Sequence, residues 1–366
     1  GSIAAVAGLS SDLFRAGNAV LRGARGSLSI ASIFASAMFG AVCGSSVATA
    51  LTMSRVSIPQ MLEAGYRPGL AAGSVAAGGT LGILIPPSLI LMIYAIIAQL
   101  SVAELFAAAL VPGLLLTLFY SLTALVYVRV AGGDRSPGSE RPVKSVREPV
   151  LPALGRIWHV IALFGVTIGG IYSGFFTPTE AAAVGAFGAL VIGLVMRRMT
   201  VRNVADSFLE TVRLVASVIF IVMASTMFSY FIVQTGGANA ISDGMQSAGL
   251  GATAVIVILC IIYIAMGCFL EGIAMILITV PITLPLVLSY GYDPVWFGVL
   301  LVILIEIGLI TPPMGMNLFV IRAVRPEITI LDMYRGALPF LAAPFLLIVV
   351  MTIWPDIALW LPSVLE

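Results

Sequence analysis

The chain has 366 residues, of which 60% are apolar and 10% charged, and its mean hydropathy is +1.12. A soluble domain is about 45–50% apolar and about 25% charged, so this composition excludes an ordinary globular protein and indicates a protein embedded in a bilayer. At about 20 apolar residues per spanning helix, the length allows roughly 8 to 10 spans. The formal charge of +1 excludes an electrostatic nucleic-acid binder, which needs a basic surface.

Apolar segments follow one another along the chain and are separated by short polar connections. They cover 28–53, 70–98, 105–130, 151–172, 181–196, 212–233, 252–288, 295–322 and 337–361. The longest connection, 131–149, is rich in Gly, Pro, Ser and charge, which is typical of a solvated linker between two membrane halves. We therefore divide the chain into a first half, 1–130, a polar linker, 131–150, and a second half, 151–366.

Two basic connections predict how the chain is oriented. Their basic residues are Arg135, Arg141, Lys144 and Arg147 in the linker and Arg197, Arg198 and Arg202 after position 196. Two predicted spans, 151–172 and 181–196, separate these connections, so both are expected on the same side of the membrane. The bias of Lys and Arg toward cytoplasmic loops predicts that this side is the cytoplasm.

Two polar positions in the second half are expected to be structural. Thr177, Pro178 and Glu180 have the spacing of a capping box that begins the helix at 181–196, so Glu180 is expected to cap and not to carry protons. His159 is the only histidine and lies beside Trp158 at the start of a span. We expect it to be an anchor at the membrane interface.

An internal repeat is the most informative feature of the sequence. A shift of 226 positions aligns, without a gap, Pro59 with Pro285, Leu62 with Leu288, Gly65-Tyr66 with Gly291-Tyr292, Pro68 with Pro294, Gly82 with Gly308 and Pro86-Pro87 with Pro312-Pro313. Most of these identities are Gly, Pro or Tyr, which are uncommon in apolar helices, so duplication is the better explanation. Repeats with Gly/Pro-interrupted apolar segments indicate the binding site of a secondary transporter. The repeat alone leaves open whether the halves are parallel or inverted.

The paired prolines predict two interrupted helices. Pro86, Pro87, Pro312 and Pro313 have no N–H, so the carbonyl groups four residues earlier lose their helical partners. By this count the freed oxygens belong to Gly82, Ile83, Gly308 and Leu309. Each unpaired oxygen costs several kcal/mol in hydrocarbon, so a cation, a buried water or a neighbouring hydroxyl must satisfy it. Two symmetric breaks favour ion or substrate binding.

A run of small residues precedes each break. The first includes Gly44, Ser45 and Ser46, which is typical of the tip of a re-entrant hairpin, although tight helix packing through small residues is an alternative. The second is 266–272. The expected bounds are about 28–56 for hairpin 1, about 70–98 for the first broken helix, about 252–288 for hairpin 2 and about 295–322 for the second broken helix. Helix ends at such tips direct N–H groups at anions and carbonyls at cations.

Two acids, Glu271 and Glu306, lie within apolar sequence, which marks them as functional candidates. Glu271 lies beside the second tip, where it is either solvated or caps the next helix. Glu306 lies two residues before Gly308, and we expect it to hydrogen-bond the loosened backbone there.

Membrane enzymes and channels are the competing classes. The sequence has no H-E-x-x-H zinc motif and no Gly-rich nucleotide loop, and nothing in the spacing supports Ser45 or Ser46 as a nucleophile with His159 as its base, so we expect no enzyme. A passive channel lined by broken helices stays open, and sodium-dependent uptake would distinguish it.

At this point the motifs identify a family. CGSSVATALTM, IPQM and AAGGTLGILIPPSLILMIY in the first half resemble the large membrane subunit of the TRAP transporters, the tripartite ATP-independent periplasmic carriers. FTPTEAAAVGAFGAL, GCFLEGIAMILITVPITLPL and ITPPMGMNLFV in the second half resemble the same subunit. The resemblance runs from near residue 1 to the C-terminal LPSVLE.

The resemblance implies an all-α polytopic protein of the bacterial inner membrane, with inverted repeats, two re-entrant helical hairpins and two broken helices. It further implies a sodium-driven elevator mechanism, a small four-helix membrane subunit and a periplasmic binding protein that delivers an organic acid anion. One or two further spans would precede Gly1. A sodium/carboxylate carrier that needs no binding protein is the alternative.

The resemblance also implies site residues. The first sodium site would comprise Gly40, Cys43, Gly82, Ile85 and Pro87. The second would comprise Gly267, Gly308, Thr311 and Met314. The substrate would lie between them, near Ser45, Ser46 and Asn317. Because neither hairpin tip nor either break contains a basic residue, the substrate carboxylate would need helix N-termini, hydroxyls or an amide.

Overall fold

The computed structural model describes residues 2–21, 26–131, 155–237 and 249–365, with the isolated positions 152, 240, 244, 245 and 247. Within these residues the regular elements are helices and no strand occurs, which confirms the predicted all-α class. The predicted linker, with its four basic residues, lies outside the described residues from position 132 onward.

The first half of the chain forms seven described helices. They are α1 (Ser2–Val6), α2 (Leu9–Val20), α3 (Ser27–Cys43), α4 (Ser46–Glu63), α5 (Pro68–Leu84), α6 (Leu89–Ala98) and α7 (Val102–Ala131). Those of the second half are α8 (Trp158–Tyr172), α9 (Pro178–Val195), α10 (Val201–Gln234), α11 (Ala252–Gly267), α12 (Gly272–Ser289), α13 (Pro294–Ile310), α14 (Met316–Val324), α15 (Ile330–Ala337), α16 (Ala342–Ile353) and α17 (Asp356–Leu365). A 3-10 turn, Leu338–Leu341, joins α15 to α16.

Fewer full-length spans occur in the described residues than the length of the chain allows. Six segments are long and apolar enough to cross a bilayer: Pro68–Ala98, Val102–Val130, Pro178–Val195, Val201–Ile232, Gly272–Ser289 and Ile330–Ile353. Five shorter apolar helices accompany them: Ser27–Cys43, Trp158–Tyr172, Ala252–Gly267, Pro294–Ile310 and Asp356–Leu365. Three of these shorter helices belong to the hairpins and the second broken helix, where each stops at an interruption.

Two helical hairpins are present at the predicted places. In hairpin 1, α3 and α4 are joined by Gly44 and Ser45 alone, and Gly44 turns the chain with a φ of +66° that favours glycine. Its second arm continues to Glu63, beyond the expected boundary at 56. In hairpin 2, residues 268–271 join α11 to α12.

Both predicted broken helices are interrupted. The first break, residues 85–88, separates α5 from α6, and the second break, residues 311–315, separates α13 from α14. Each contains a cis Pro–Pro peptide bond, at Pro86-Pro87 and at Pro312-Pro313. The missing N–H groups of the prolines end the hydrogen-bonded ladder at the positions where the sequence predicts it.

The internal repeat is a structural repeat. Adding 226 to the bounds of α4 gives those of α12, and adding 226 to the bounds of α5 gives those of α13, residue for residue. The two units run in opposite directions. Tyr94 donates a hydrogen bond to the carbonyl of Pro294 at 2.6 Å, whereas Asn317 donates to the carbonyl of Ala76 at 3.2 Å. From Tyr94 back to Ala76 the first unit runs toward its N-terminus, whereas its partners in the second unit run forward from Pro294 to Asn317. The two units are therefore antiparallel, and the repeats are inverted.

The distribution of basic residues agrees with this inverted arrangement. Five described crossings, namely α5–α6, α7, α8, α9 and α10, separate the two hairpins, so hairpin 2 enters from the side opposite hairpin 1. The described parts of the connections on that opposite side, 99–101, 173–177, 235–237, 249–251, 290–293 and 354–355, contain no Lys or Arg. Arg67, Arg129, Arg156 and Arg197 lie on the side of the hairpin 1 base, which the positive-inside rule assigns to the cytoplasm.

The helices divide into a buried core and a periphery. All residues of α5 from Leu70 to Leu84 are buried, and so is 67% of an 18-residue apolar stretch of α5–α6. The corresponding buried share is 17% for α9 and 6% for α10. The peripheral α8 and α10 begin at Trp158 and Val201, not at the expected positions 151 and 212.

Of the two polar positions expected to be structural, one is confirmed and one is corrected. Thr177 and Glu180 form the predicted capping box at the start of α9. His159 is not an interfacial anchor, because it is buried, with Nε2 3.7 Å from the carboxylate of Asp12. Asp12 in turn pairs with Arg198 at 2.5 Å, which connects α2 to the connection after α9.

Candidate ion and substrate site

A glycine–glycine contact places hairpin 1 against the first break. Gly40, in the last turn of α3, lies so close to Gly82 that a β-carbon added at Gly40 would overlap the main chain of Gly82. A β-carbon added at Gly82 would lie 2.9 Å from the Thr49 hydroxyl and 3.1 Å from the carbonyl oxygen of Ser45. Only glycine fits at this contact, which brings the hairpin tip onto the last turn of α5.

The tip itself contacts the first break. A β-carbon added at Gly44 would lie 3.1 Å from the carbonyl oxygen of Pro87. The Thr49 hydroxyl donates to the carbonyl of Ser45 at 2.7 Å, and the Ser45 hydroxyl caps α4 by accepting from the N–H of Ala48 at 3.4 Å. The five residues predicted for the first sodium site therefore lie on two elements that the structure brings together.

The second repeat has the same contact. A β-carbon added at Gly308 would lie 2.6 Å from the carbonyl oxygen of Gly267, the last residue of α11. In the reverse direction the contact is looser, since a β-carbon at Gly267 would lie 3.3 Å from the α-carbon of Gly308. Hairpin 2 thus lies against the last turn of α13, as hairpin 1 does against α5.

Two of the four oxygens predicted to be free have partners. The hydroxyl of Ser88 donates to the carbonyl of Ile83 at 2.5 Å, and the N–H of Thr311 donates to the carbonyl of Gly308 at 3.3 Å. At Ile83 the partner is a neighbouring hydroxyl, one of the three alternatives that the sequence leaves open, whereas at Gly308 it is a main-chain N–H, which was not among them. Groups within the breaks satisfy them, and a carbonyl with one such partner keeps a lone pair.

The residues predicted for the second sodium site differ in exposure. Gly308 is buried, Thr311 is half-buried and the side chain of Met314 is half-exposed. The Thr311 hydroxyl donates to the carbonyl of Ile307 at 2.5 Å, so its oxygen keeps its lone pairs. Gly267 reaches this group through its contact with Gly308.

The residues predicted to bind substrate are mostly buried. Ser46 is 5% exposed and Asn317 is fully buried, while Ser45 is partly exposed at the hairpin tip. The amide nitrogen of Asn317 donates to Ala76, whereas its Oδ1 has no hydrogen-bond partner among the described residues. Asn317 therefore joins the two repeats and presents one free acceptor.

The two acids behave differently. Glu271 caps α12, because one carboxylate oxygen accepts from the N–H groups of Ile273 at 2.9 Å and Ala274 at 3.2 Å. Glu306 is fully buried, and neither carboxylate oxygen has a hydrogen-bond partner among the described residues. The expectation that Glu306 bonds the backbone near Gly308 is wrong. At about 100° per residue, these two positions lie on nearly opposite faces of α13.

Two hydroxyl groups at the breaks were not singled out by sequence reasoning. Ser88 carried a usable signal, since a serine directly before an apolar run is a common N-cap, and it caps α6 by accepting from Leu91 at 3.3 Å. Tyr334, on α15, donates to the carbonyls of Pro313 at 2.5 Å and Met314 at 3.2 Å. No local pattern connects Tyr334 to the second break.

The described residues contain no cluster of three or more His, Cys, Asp or Glu side chains that could hold a metal ion. The polar side chains at both tips and breaks are hydroxyls, apart from the carboxylate of Glu271, and main-chain carbonyls accompany them. Oxygen ligands of this kind suit hard cations such as alkali ions, and exposed helix N-termini suit anions.

Inverted repeats that place hairpin tips against broken helices define the class of secondary transporters. Solved structures agree at the level of fold. MtrF of Neisseria gonorrhoeae is similar with a TM-score of 0.57 and 16% identity over 96% of this chain and 80% of that one. YdaH of Alcanivorax borkumensis is similar with a TM-score of 0.59 and 17% identity over 97% and 84%.

Sequence comparison gives the family. The profile described as "Tripartite ATP-independent periplasmic transporter, DctM component" matches residues 1–357, and this chain belongs to that family. A C4-dicarboxylate TRAP transporter large permease protein of Pseudomonas aeruginosa is 36% identical over 99% of this chain and 84% of its own length. A sialic acid TRAP large permease of Vibrio cholerae is 31% identical over 98% and 82%. The chain is therefore a permease subunit of the bacterial inner membrane and not an enzyme.

Proposed function

We propose that this chain is the large permease subunit of a sodium-driven TRAP transporter that imports an organic acid anion. One observation carries the proposal. A glycine contact holds each hairpin against the last turn before a main-chain break, and this arrangement occurs twice, in inverted orientation, at Gly40–Gly82 and Gly267–Gly308. Each tip and break together offer carbonyl and hydroxyl oxygens that a dehydrated alkali ion prefers.

Two sodium sites are proposed at these contacts. The first uses Gly40, Cys43, Gly82, Ile85 and Pro87, and the second uses Gly267, Gly308, Thr311 and Met314. In both sets most ligands would be main-chain oxygens. Thr311 supplies the only side-chain hydroxyl, and its bond to Ile307 leaves its lone pairs available.

The substrate is proposed to be an anion bound between the two sites. Ser45, Ser46 and Asn317 would provide hydroxyl and amide groups, and the N-terminal end of α4, whose cap Ser45 is uncharged, would provide N–H groups. Relatives named for C4-dicarboxylates, sialic acid and isethionate support an anionic substrate, and another relative is named for ectoine. The absence of Lys and Arg from both tips and both breaks favours recognition by dipoles.

The transport mechanism is proposed to be an elevator that works with partner proteins. A small four-helix membrane subunit would cover part of the exposed periphery, where only 6% of the apolar window of α10 is buried. A periplasmic binding protein would deliver the anion. The buried unit of hairpins and broken helices would then move relative to α8–α10.

Reconstitution tests the proposal. The chain is incorporated into proteoliposomes with its small subunit, and uptake of radiolabelled succinate and of sialic acid is measured with the cognate binding protein outside. We expect uptake only with an inward sodium gradient and with all components present. Equal uptake under a potassium gradient would contradict sodium coupling, and uptake by the isolated chain would favour a carrier or a channel.

A pair of threonine variants tests the second sodium site. Thr311→Ala removes the proposed ligand, and we expect the sodium concentration for half-maximal uptake to rise about tenfold, the size expected for loss of one charge-assisted contact. Thr226→Ala is the matched control, because its hydroxyl makes the same kind of bond, to Val222 at 2.7 Å, on the exposed face of α10. Membrane insertion should be intact in both, and equal sodium dependence in both would remove Thr311 from the site.

A further inference from the structure

The two breaks obtain their hydroxyl donors from different places. In the first break, Ser88 donates to the carbonyl of Ile83 from within the break itself. The 226-residue register places Met314 at the equivalent position of the second repeat, and methionine has no hydroxyl. The second break instead receives the hydroxyl of Tyr334, which donates to the carbonyls of Pro313 and Met314.

Tyr334 has no counterpart in the first repeat. The same register pairs it with Ala108, a buried residue of α7. The tyrosine hydroxyl is therefore specific to the second half of the molecule, where it bonds the carbonyls of Pro313 and Met314. The hydroxyl of the break itself, that of Thr311, donates instead to the carbonyl of Ile307 in α13.

The helix that carries Tyr334 is fixed on α5. Gly336, two residues further along α15, lies between Gly69 and Gly73, and a β-carbon at Gly336 would overlap the main chain of Gly69. A β-carbon at Gly69 would lie 2.7 Å from the carbonyl oxygen of Asp332. Small residues spaced four apart allow such backbone contact between membrane helices. Tyr334 is thus held by the same helix that leads into the first break.

We propose that Tyr334 is a positioning residue for the cation site at the second break. Its hydroxyl orients the main chain of Pro313 and Met314, which are both exposed. A loop that is already ordered pays less conformational entropy when a cation binds. This role rests on the proposed sodium site that contains Thr311 and Met314.

The role can be measured on the purified full chain, without its partners. A cation that binds the folded state raises its melting temperature, so sodium titrations against a potassium background report an apparent sodium affinity. Equilibrium binding of radioactive sodium gives the same quantity directly. Tyr334→Phe removes only the hydroxyl, and Tyr172→Phe is the matched control because its buried hydroxyl has no partner among the described residues.

We expect Tyr334→Phe to raise the sodium concentration for half-maximal stabilisation roughly threefold to tenfold, the range for loss of one hydrogen bond, while Tyr172→Phe matches the unmodified chain. A purely structural tyrosine would lower the melting temperature in potassium and leave the sodium midpoint unchanged. That result, or a midpoint equal in both variants, overturns the role of Tyr334 alone. If the unmodified chain gains no stability from sodium over potassium and binds no radioactive sodium, the proposed sodium coupling fails, and the role of Tyr334 fails with it.

Discussion

The two breaks have the same Pro–Pro sequence and opposite surroundings. In the first break, Ile85, Pro86 and Ser88 are buried. In the second, Pro312 and Pro313 are exposed and Met314 is half-exposed. The prolines end the helix in both repeats, whereas the neighbouring side chains determine which hydrogen bonds stabilise the main chain of each break.

The glycine contacts of the two hairpins differ as well. A β-carbon at Gly40 would overlap the α-carbon of Gly82, whereas one at Gly82 would lie 3.2 Å from the α-carbon of Gly40. In the second repeat the order is reversed, because a β-carbon at Gly308 would lie 2.7 Å from the α-carbon of Gly267, whereas one at Gly267 would lie 3.3 Å from the α-carbon of Gly308. The glycine with the closer contact thus belongs to the hairpin in the first repeat and to the broken helix in the second. Substitutions at equivalent places in the two repeats should have unequal effects.

The largest difference is expected at the hairpin glycines. Gly40→Ala places a methyl group into the main chain of Gly82, and we expect it to lower the free energy of unfolding by about 3 kcal/mol. Gly267→Ala meets its nearest atom at 3.3 Å, and we expect a loss of about 1 kcal/mol or less. Thermal unfolding in detergent measures both. Equal losses would show that the two hairpins are held alike.

A smaller difference is expected between the equivalent residues of the two breaks. Ser88→Ala leaves the buried carbonyl of Ile83 without its donor and removes the cap of α6, with an expected loss of about 2 kcal/mol. Met314→Ala removes a half-exposed side chain, with an expected loss below about 0.5 kcal/mol. Unfolding of the two variants under identical conditions is the measurement. A harmless Ser88→Ala would mean that another group replaces the hydroxyl.

The smallest difference is expected at the caps of the second hairpin arms, which the register also pairs. Glu271→Ala removes an acceptor of two N–H groups at 2.9 and 3.2 Å, with an expected loss of about 1 kcal/mol. Ser45→Ala removes one weak acceptor at 3.4 Å, with an expected loss of about 0.5 kcal/mol. Hydrogen exchange at the first turns of α4 and α12 locates the effect. If Ser45→Ala increased exchange in α4 more than Glu271→Ala increased it in α12, the expected order of the two caps would be wrong.

Much of the fold follows from the sequence because its signals are local. Proline removes a specific hydrogen bond, so the positions of both breaks were predictable, and the register of the repeat follows from glycines and prolines that tolerate few alternatives. The capping box at Thr177 has a fixed spacing and was predicted for the same reason.

The remaining features depend on contacts between distant segments. His159 has neighbours typical of an interface, and only the fold brings Asp12 to it. The direction of the repeats required the contacts of Tyr94 and Asn317, because the number of spans could not be counted from apolar stretches alone. The partner of the second break, Tyr334, is likewise supplied by packing of α15 on α5.

The opposed course of α5 and α13 has a consequence for the conformations that the chain can adopt. Two units related by a pseudo-twofold axis in the membrane plane can exchange their shapes, and the exchanged molecule faces the other side of the bilayer. Under the proposed transport cycle, residues 85–88 would be the exposed break of that second shape and residues 311–315 the buried one. One duplicated stretch of sequence would then provide an opening on each side of the membrane.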